Sequence, residues 1–270
     1  METRYIHATD VHNTQAPSII VPKLIELFAP KSVVDFGCGI GTFLNIFIRE
    51  GVTDVLGLDG AWVNRTLLNE CIPENKFKAV NLETPISLNR KYDLAISLEV
   101  AEHLDESKSS VMVENLVHAS DLIVFSAAIP YQGGQNHINE QWPTYWLELF
   151  SQHGYTMHDI LRPLFWNNED IFFWYKQNMF VLVKEGSIAE SVVKKALESS
   201  PNTIYSIVHP DLYQTKNMEI ADAQKQIIKY EEELKKITSG ERGLRFYLRL
   251  VKKHIISKSF RRISKAILKP

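Results

Sequence analysis

One run of ten residues limits the fold more than any other: Val34-Asp35-Phe36-Gly37-Cys38-Gly39-Ile40-Gly41-Thr42-Phe43. A short apolar segment feeds three alternating glycines, and a stretch with helical spacing, 42–50, follows until Gly51. A strand that turns on glycine into a helix brings the backbone close to a ligand, because there is no Cβ to clash. The N–H groups at the helix start suit an anionic or polar group. The next apolar run, 55–59, ends at Asp59, 18 residues beyond Gly41. A carboxylate at that strand end accepts the two hydroxyl protons of a ribose. The expected ligand therefore contains a nucleoside.

The rest of the chain agrees with such a start. Apolar runs at 32–36, 55–59, 92–98 and 122–126 predict buried strands, and 17–28, 42–50 and 107–119 predict helices between or before them. Strands alternating with helices predict βαβ units and a parallel sheet. The pattern then changes. Residues 143–153 read as a helix with Pro143 in its first turn, and 156–162 and 178–184 read as two strands around the aromatic insertion FWNNEDIFFWY. The expected fold is α/β: a Rossmann-like sheet, mostly parallel with an antiparallel last strand, plus a C-terminal helical extension. The compact domain is expected to span 1–185.

Beyond it, 186–240 reads as a connector with helices. Ile220, Ala223, Ile227, Tyr230, Leu234 and Ile237 repeat with the a/d spacing of a coiled coil, so 216–237 pairs with a second copy or packs as an ordinary amphipathic helix. The net charge of −2 hides an asymmetry: 241–270 holds ten Lys or Arg against one acid. With its apolar residues at helical spacing, this tail suits an anionic membrane surface. Packing on the acidic body is the other reading, and nucleic acid is disfavoured because no nucleic-acid module is present. Only two cysteines occur, Cys38 and Cys71, which excludes a disulfide scaffold and suits a reducing compartment. No run of eighteen apolar residues predicts a membrane span, and Met1–Asp10 lacks the apolar stretch of a secretory signal. The expected location is cytoplasmic, with the tail as a peripheral attachment to the inner face of the membrane.

A dinucleotide fingerprint would place its third glycine one residue after Gly41. The acid at Asp35 and the glycines at 37, 39 and 41 instead resemble motif I of the class I S-adenosylmethionine-dependent methyltransferases. The resemblance covers about 30–185. It implies S-adenosylmethionine as cofactor, with Asp35, Gly37, Cys38, Gly39 and Gly41 around the methionine moiety and Asp59 on the ribose. Asn81, Leu82 and Glu83 fall where that family has a residue near the adenine. Residues 92–104 resemble motif IV, which adds Ser97 and Leu98 to the cofactor side. The run HINEQWPTYW, the following aromatics and YKQN before the last strand resemble methyltransferases of bacterial surface-polysaccharide biosynthesis.

Transfer of a methyl group to oxygen needs an in-line approach and a place for the hydroxyl proton. His103 and His137 are the candidate bases, since both follow strands whose carboxyl ends face the ligand in open α/β sheets, and Glu99 joins them. Glu140 and Gln141 are candidates for contact with acceptor hydroxyls. Glu99, Glu102, His103 and His137 also resemble the E-x-x-E-H plus later His of metal-dependent small-RNA 2′-O-methyltransferases, so a divalent ion is an open alternative. The expected activity is O-methylation of a sugar or lipid-linked glycan. The alternatives are metal-assisted methylation of RNA or a small molecule, and a non-catalytic scaffold.

Overall fold

The computed structural model describes residues 13–197, 207–249 and 251–252. They form two compact units, one reaching Leu212 and the other starting at Tyr213.

The first unit is built on seven strands: β1 (Ser32–Phe36), β2 (Asp54–Asp59), β3 (Phe77–Ala79), β4 (Leu94–Leu98), β5 (Leu122–Ser126), β6 (Tyr155–His158) and β7 (Phe180–Lys184). Their spatial order is β3-β2-β1-β4-β5-β7-β6. The first five pair in parallel, while β7 runs antiparallel to both β5 and β6. The expected sheet with its reversed last strand is present.

The central strands read as unbroken apolar runs because helices cover both faces. Val33, Ile96, Val124 and Val181 pack on one side with Ile20, Leu24, Leu44 and Phe47. Val34, Ala95, Ile123 and Leu182 pack on the other with Met112, Leu116, Trp146 and Phe150. The covering helices are α1 (Gln15–Phe28), α2 (Thr42–Arg49), α3 (Arg65–Cys71), α4 (Ser109–Ala119), α5 (Pro143–Ser151), α6 (Leu161–Phe165), α7 (Phe173–Asn178) and α8 (Ile188–Leu197). Each large side chain buried this way contributes about 1.5–3 kcal/mol before entropy is counted. Local chemistry sets the ends. α1 stops at Ala29 in the left-handed conformation, its N–H bonded to the Ile25 carbonyl. α3 starts where Asn64 Oδ1 accepts from the N–H groups of Thr66 and Leu67.

Two expectations need correction. The run 156–162 is not one strand. β6 ends at His158, and the apolar residues after it begin α6. Asp159 and Arg162 form an ion pair one helical turn apart at 2.6 Å, and the Arg162 guanidinium sits 4.2 Å from the centre of the Phe180 ring. The second correction is that the run 92–98 enters the sheet only at Leu94. The short edge strand β3 and helix α3 were not predicted.

The second unit continues a helix, α9 (Pro210–Thr238), in which Ile220, Ile227, Tyr230 and Leu234 are exposed. Residues 244–249 are helical. Most of the predicted basic tail, 253–270, lies outside the described residues. No described helix is long and apolar enough to cross a membrane.

Candidate active site

The sheet order reverses at β1: β2 and β3 lie on one side and β4 on the other. Ligands of open α/β sheets sit at the carboxyl ends of the strands flanking such a reversal. The sequence-predicted site residues lie within β1, β2 and β4 toward their carboxyl ends, or in the loops that follow β1, β3, β4 and β5.

The glycine turn is drawn onto the end of β2. Gly37 and Cys38 donate their N–H groups to the Leu58 carbonyl at 2.8 and 3.2 Å. Gly39 N–H donates to Asp59 Oδ2 at 2.7 Å, and Gly60 N–H donates to Asp59 Oδ1 at 2.6 Å. Asp59 thus shapes the turn through both carboxylate oxygens. Gly37 has φ of 84°, and a Cβ there would lie 2.4 Å from the Val100 side chain. Asp35 is buried beneath the turn. Burial, and then the charge of Asp59, push its carboxyl well above the usual carboxylate range. Burial and the same two acids push the Cys38 thiol up, so it is no thiolate nucleophile. Gly41 begins α2 and lies against Leu68 and Ile72. Ser97 and Leu98 end β4, and the Ser97 hydroxyl is buried without a hydrogen-bond partner. Val80 N–H donates to the Asp59 carbonyl, which brings Asn81, Leu82 and Glu83 beside the end of β2. There Asn81 Oδ1 accepts from Glu83 N–H, and Glu83 Oε1 accepts from Asp105 N–H.

The acceptor side begins at Glu99, a non-glycine residue with φ of 56°. Its N–H donates to the carbonyl and hydroxyl oxygens of Ser126, which locks the exit of β4 to that of β5. Its carboxyl accepts from Gln132 Nε2 at 2.9 Å and from Asn178 Nδ2 at 3.1 Å. Burial pushes this carboxyl up to about 7, with the bonds from Asn178 and Gln132 opposing the rise. The amides extend the network further. Asn178 donates to Gln132 Oε1, Gln177 donates to both neighbours, and Gln177 Oε1 accepts from His209 N–H. Gln132, Gln177 and Asn178 went unassigned in the sequence. The signal was there: three polar residues, Lys176 to Asn178, directly precede an apolar strand.

Glu102 is fully buried, and among the described residues neither carboxylate oxygen has a partner of good hydrogen-bond geometry. Burial and the neighbouring Glu99 push it well above the carboxylate range. Glu102, His103 and His137 each offer a ligand atom within 4.8 Å of the others. The two imidazoles meet edge to face, 4.8 Å between centres. His103 Nδ1 faces the Asn136 carbonyl at 3.4 Å, and His137 Nδ1 lies 2.9 Å from Glu140 Oε1. One carboxylate and two imidazoles form a donor set that fits a divalent ion, and the orphaned Glu102 oxygens are the kind of buried atoms an ion satisfies. Glu99, expected in the same set, gives its carboxyl to the amides instead.

Glu140 and Gln141 are engaged within their own loop. Glu140 binds its own loop, and Gln141 Nε2 donates to Asn139 Oδ1. The aromatic insertion is partly core: Phe165 is buried, Tyr175 packs edge-on against Phe43, and Phe172 stacks on Trp174 with centres 4.4 Å apart. Next along the chain from His137, exposed Ile138 lines a hollow of about 580 Å³ with Asp105, Glu106, Ser107 and Tyr145.

Residues 12–123 match the model of a family described as a methyltransferase domain. Among solved structures, DesVI of Streptomyces venezuelae is 12% identical with a TM-score of 0.53, covering 67% of this chain and all of that one. The methyltransferase domain of bacterial CtHen1-CN is 19% identical with a TM-score of 0.46, covering 63% of this chain and all of that domain. The sugar N-methyltransferase KedS8 from Streptoalloteichus sp ATCC 53650 is 13% identical with a TM-score of 0.48, covering 68% of this chain and 97% of that one. None of the curated proteins compared with the chain matches it. At these identities the likeness to DesVI is one of fold. The match over 12–123, the sheet order and the glycine turn closed on Asp59 together support an S-adenosylmethionine-dependent methyltransferase domain in the first unit.

Proposed function

We propose that the chain methylates a hydroxyl oxygen of a sugar or lipid-linked glycan, in the assembly of a surface polysaccharide. The observation that carries this reading is the pair of imidazoles at the carboxyl ends of β4 and β5, each with Nδ1 directed to an oxygen of the 136–140 loop. S-adenosylmethionine, when bound, supplies a methyl group on a sulfonium. The chain's residues have to orient the acceptor hydroxyl and take its proton as the O–CH₃ bond forms and the S–CH₃ bond breaks. Neutral imidazole does this near pH 7. The hollow lined by Ile138, the residue after His137, combines Tyr145 with Asp105 and Glu106, a chemistry that suits the faces and hydroxyls of a sugar.

A second reading rests on a different observation, the buried Glu102 with no partner of good hydrogen-bond geometry among the described residues. Glu102, His103 and His137 would hold a divalent cation that polarises the acceptor hydroxyl, on RNA or on a small molecule. A non-catalytic scaffold is the weakest alternative, because the glycine turn and Asp59 are intact. The extension fits an enzyme held at an anionic membrane by 241–270, with α9 pairing two copies.

The test measures methyl transfer to nucleotide sugars and lipid-linked saccharides, read by product mass. His137→Ala is expected to lower kcat by about 10²- to 10⁴-fold, the range of a lost acid–base group, with S-adenosylhomocysteine binding retained. Full activity in the His103→Ala, His137→Ala double variant would overturn the histidine reading. Activity lost to a chelator and restored by a divalent ion would select the second.

A further inference from the structure

We propose that Glu140 is a positioning residue: it holds His137 in the Nδ1–H tautomer and so directs a lone pair from Nε2 toward the acceptor. This rests on the reading of His137 as a working group in methyl transfer.

The loop 130–142 is organised around the Glu140 carboxylate. Oε2 accepts from Tyr131 N–H at 2.7 Å, Oε1 accepts from Gly133 N–H at 2.6 Å, and His137 Nδ1 lies 2.9 Å from Oε1. Tyr131 and Gly133 both have left-handed backbones, φ 67° and 72°, which turn their N–H groups inward to one acceptor. Tyr131 adopts that conformation with its ring 86% exposed, so packing does not impose it. Two backbone donors, one to each oxygen, use the Glu140 carboxylate as an acceptor. The hydrogen between Glu140 and His137 then belongs to Nδ1, and in the neutral ring Nε2 carries the lone pair. The ion-pair partners are largely shielded, with side chains 12% and 18% exposed.

Gly134 completes the device. A Cβ built there would lie 2.2 Å from His137 Nε2 and 2.5 Å from Cε1. Any side chain at 134 would fill the space at the nitrogen that the tautomer leaves available. The same loop supplies the Asn136 carbonyl to His103 Nδ1, so it constrains both imidazoles.

The experiment uses the full chain with ¹⁵N-labelled histidine, recorded where the ring is neutral, beside steady-state kinetics. In the wild type, His137 should appear as the Nδ1–H tautomer. Glu140→Gln should shift it toward Nε2–H and lower kcat about 10- to 100-fold, as for other residues that orient a working histidine. KM for S-adenosylmethionine should change less than twofold, and Glu140→Asp should recover part of kcat. Gly134→Ala tests the proposal independently of the carboxylate: kcat should fall with the tautomer unchanged. A wild-type Nε2–H signal overturns the proposal, and so does a Glu140→Gln protein that binds S-adenosylhomocysteine with tautomer and kcat unaltered. Should His137→Ala stay active while the wild-type tautomer is Nδ1–H, the failure belongs to the functional reading and not to the geometry.

Discussion

Asp35 sits where two demands conflict. It is buried at the end of β1 and faces the charge of Asp59, so its carboxyl keeps a proton to higher pH than an exposed one. The folded state therefore binds that proton more tightly than the unfolded chain does. Above the ordinary carboxylate range, stability falls as pH climbs toward the raised value. Asp35→Asn removes this cost, and its melting temperature should decline less than that of the wild type between pH 4 and pH 8. Affinity should move the other way. If Asp35 receives the methionine amino group, its loss removes a charge-assisted hydrogen bond of about 1.5–3 kcal/mol, and calorimetry should find S-adenosylhomocysteine bound at least tenfold more weakly. A variant with unchanged affinity would remove Asp35 from the binding set.

Among the elements, the buried ones were legible in the sequence and the marginal ones were not. β1 and β5 fall on the predicted residues, because a strand covered on both faces must be apolar throughout. β3 has only three residues, Phe77 to Ala79, two of them exposed, and no alternation marks it. The region after Tyr155 misled for another reason: a short apolar run has no period long enough to separate strand from helix. What decides it is the Asp159–Arg162 pair, a tertiary device seated under Phe180. The site divides the same way. The glycine turn is readable because backbone conformation dictates residue type. The partners of Glu99 lie up to 79 residues away, a distance no local pattern spans.

α9 brings out the complementary lesson. Its a/d residues were visible in sequence and stand exposed on a helix of 29 residues: Ile220 56%, Ile227 55%, Tyr230 68% and Leu234 60%. Covering each with a second copy would contribute about 1.5–3 kcal/mol. Sedimentation should therefore find the full chain as a dimer, and Ile227→Glu with Leu234→Glu should return a monomer that still binds S-adenosylhomocysteine. A monomeric wild type at tens of micromolar would remove the pairing.

For the molecule as a whole, the charge asymmetry is the feature with reach. The last thirty residues hold ten of the 30 basic side chains and one of the 32 acids. Near an anionic bilayer each such cation is worth about 1 kcal/mol, and that attraction weakens with salt. The full chain should co-sediment with vesicles containing an anionic lipid and be released at high ionic strength. Arg245→Glu, Arg249→Glu and Lys252→Glu together should weaken partition about 100-fold or more, by the same reckoning. Equal partition of the triple variant would detach the tail from the membrane.

The reversed direction of β7 has a consequence for how the cleft comes into being on the ribosome. Gly39 meets Asp59 across 20 residues, so the glycine turn can be drawn onto β2 once β2 has emerged. The acceptor half cannot close so early. Glu99 waits for Asn178, which reaches it because β7 starts, rather than ends, at the rim of the cleft. Gln177 in turn waits for His209, another 32 residues. The contacts of the glycine turn thus span much shorter stretches of chain than those of Glu99. The methyl donor is the ligand a growing chain can meet first, and the acceptor is the ligand only the completed domain can hold.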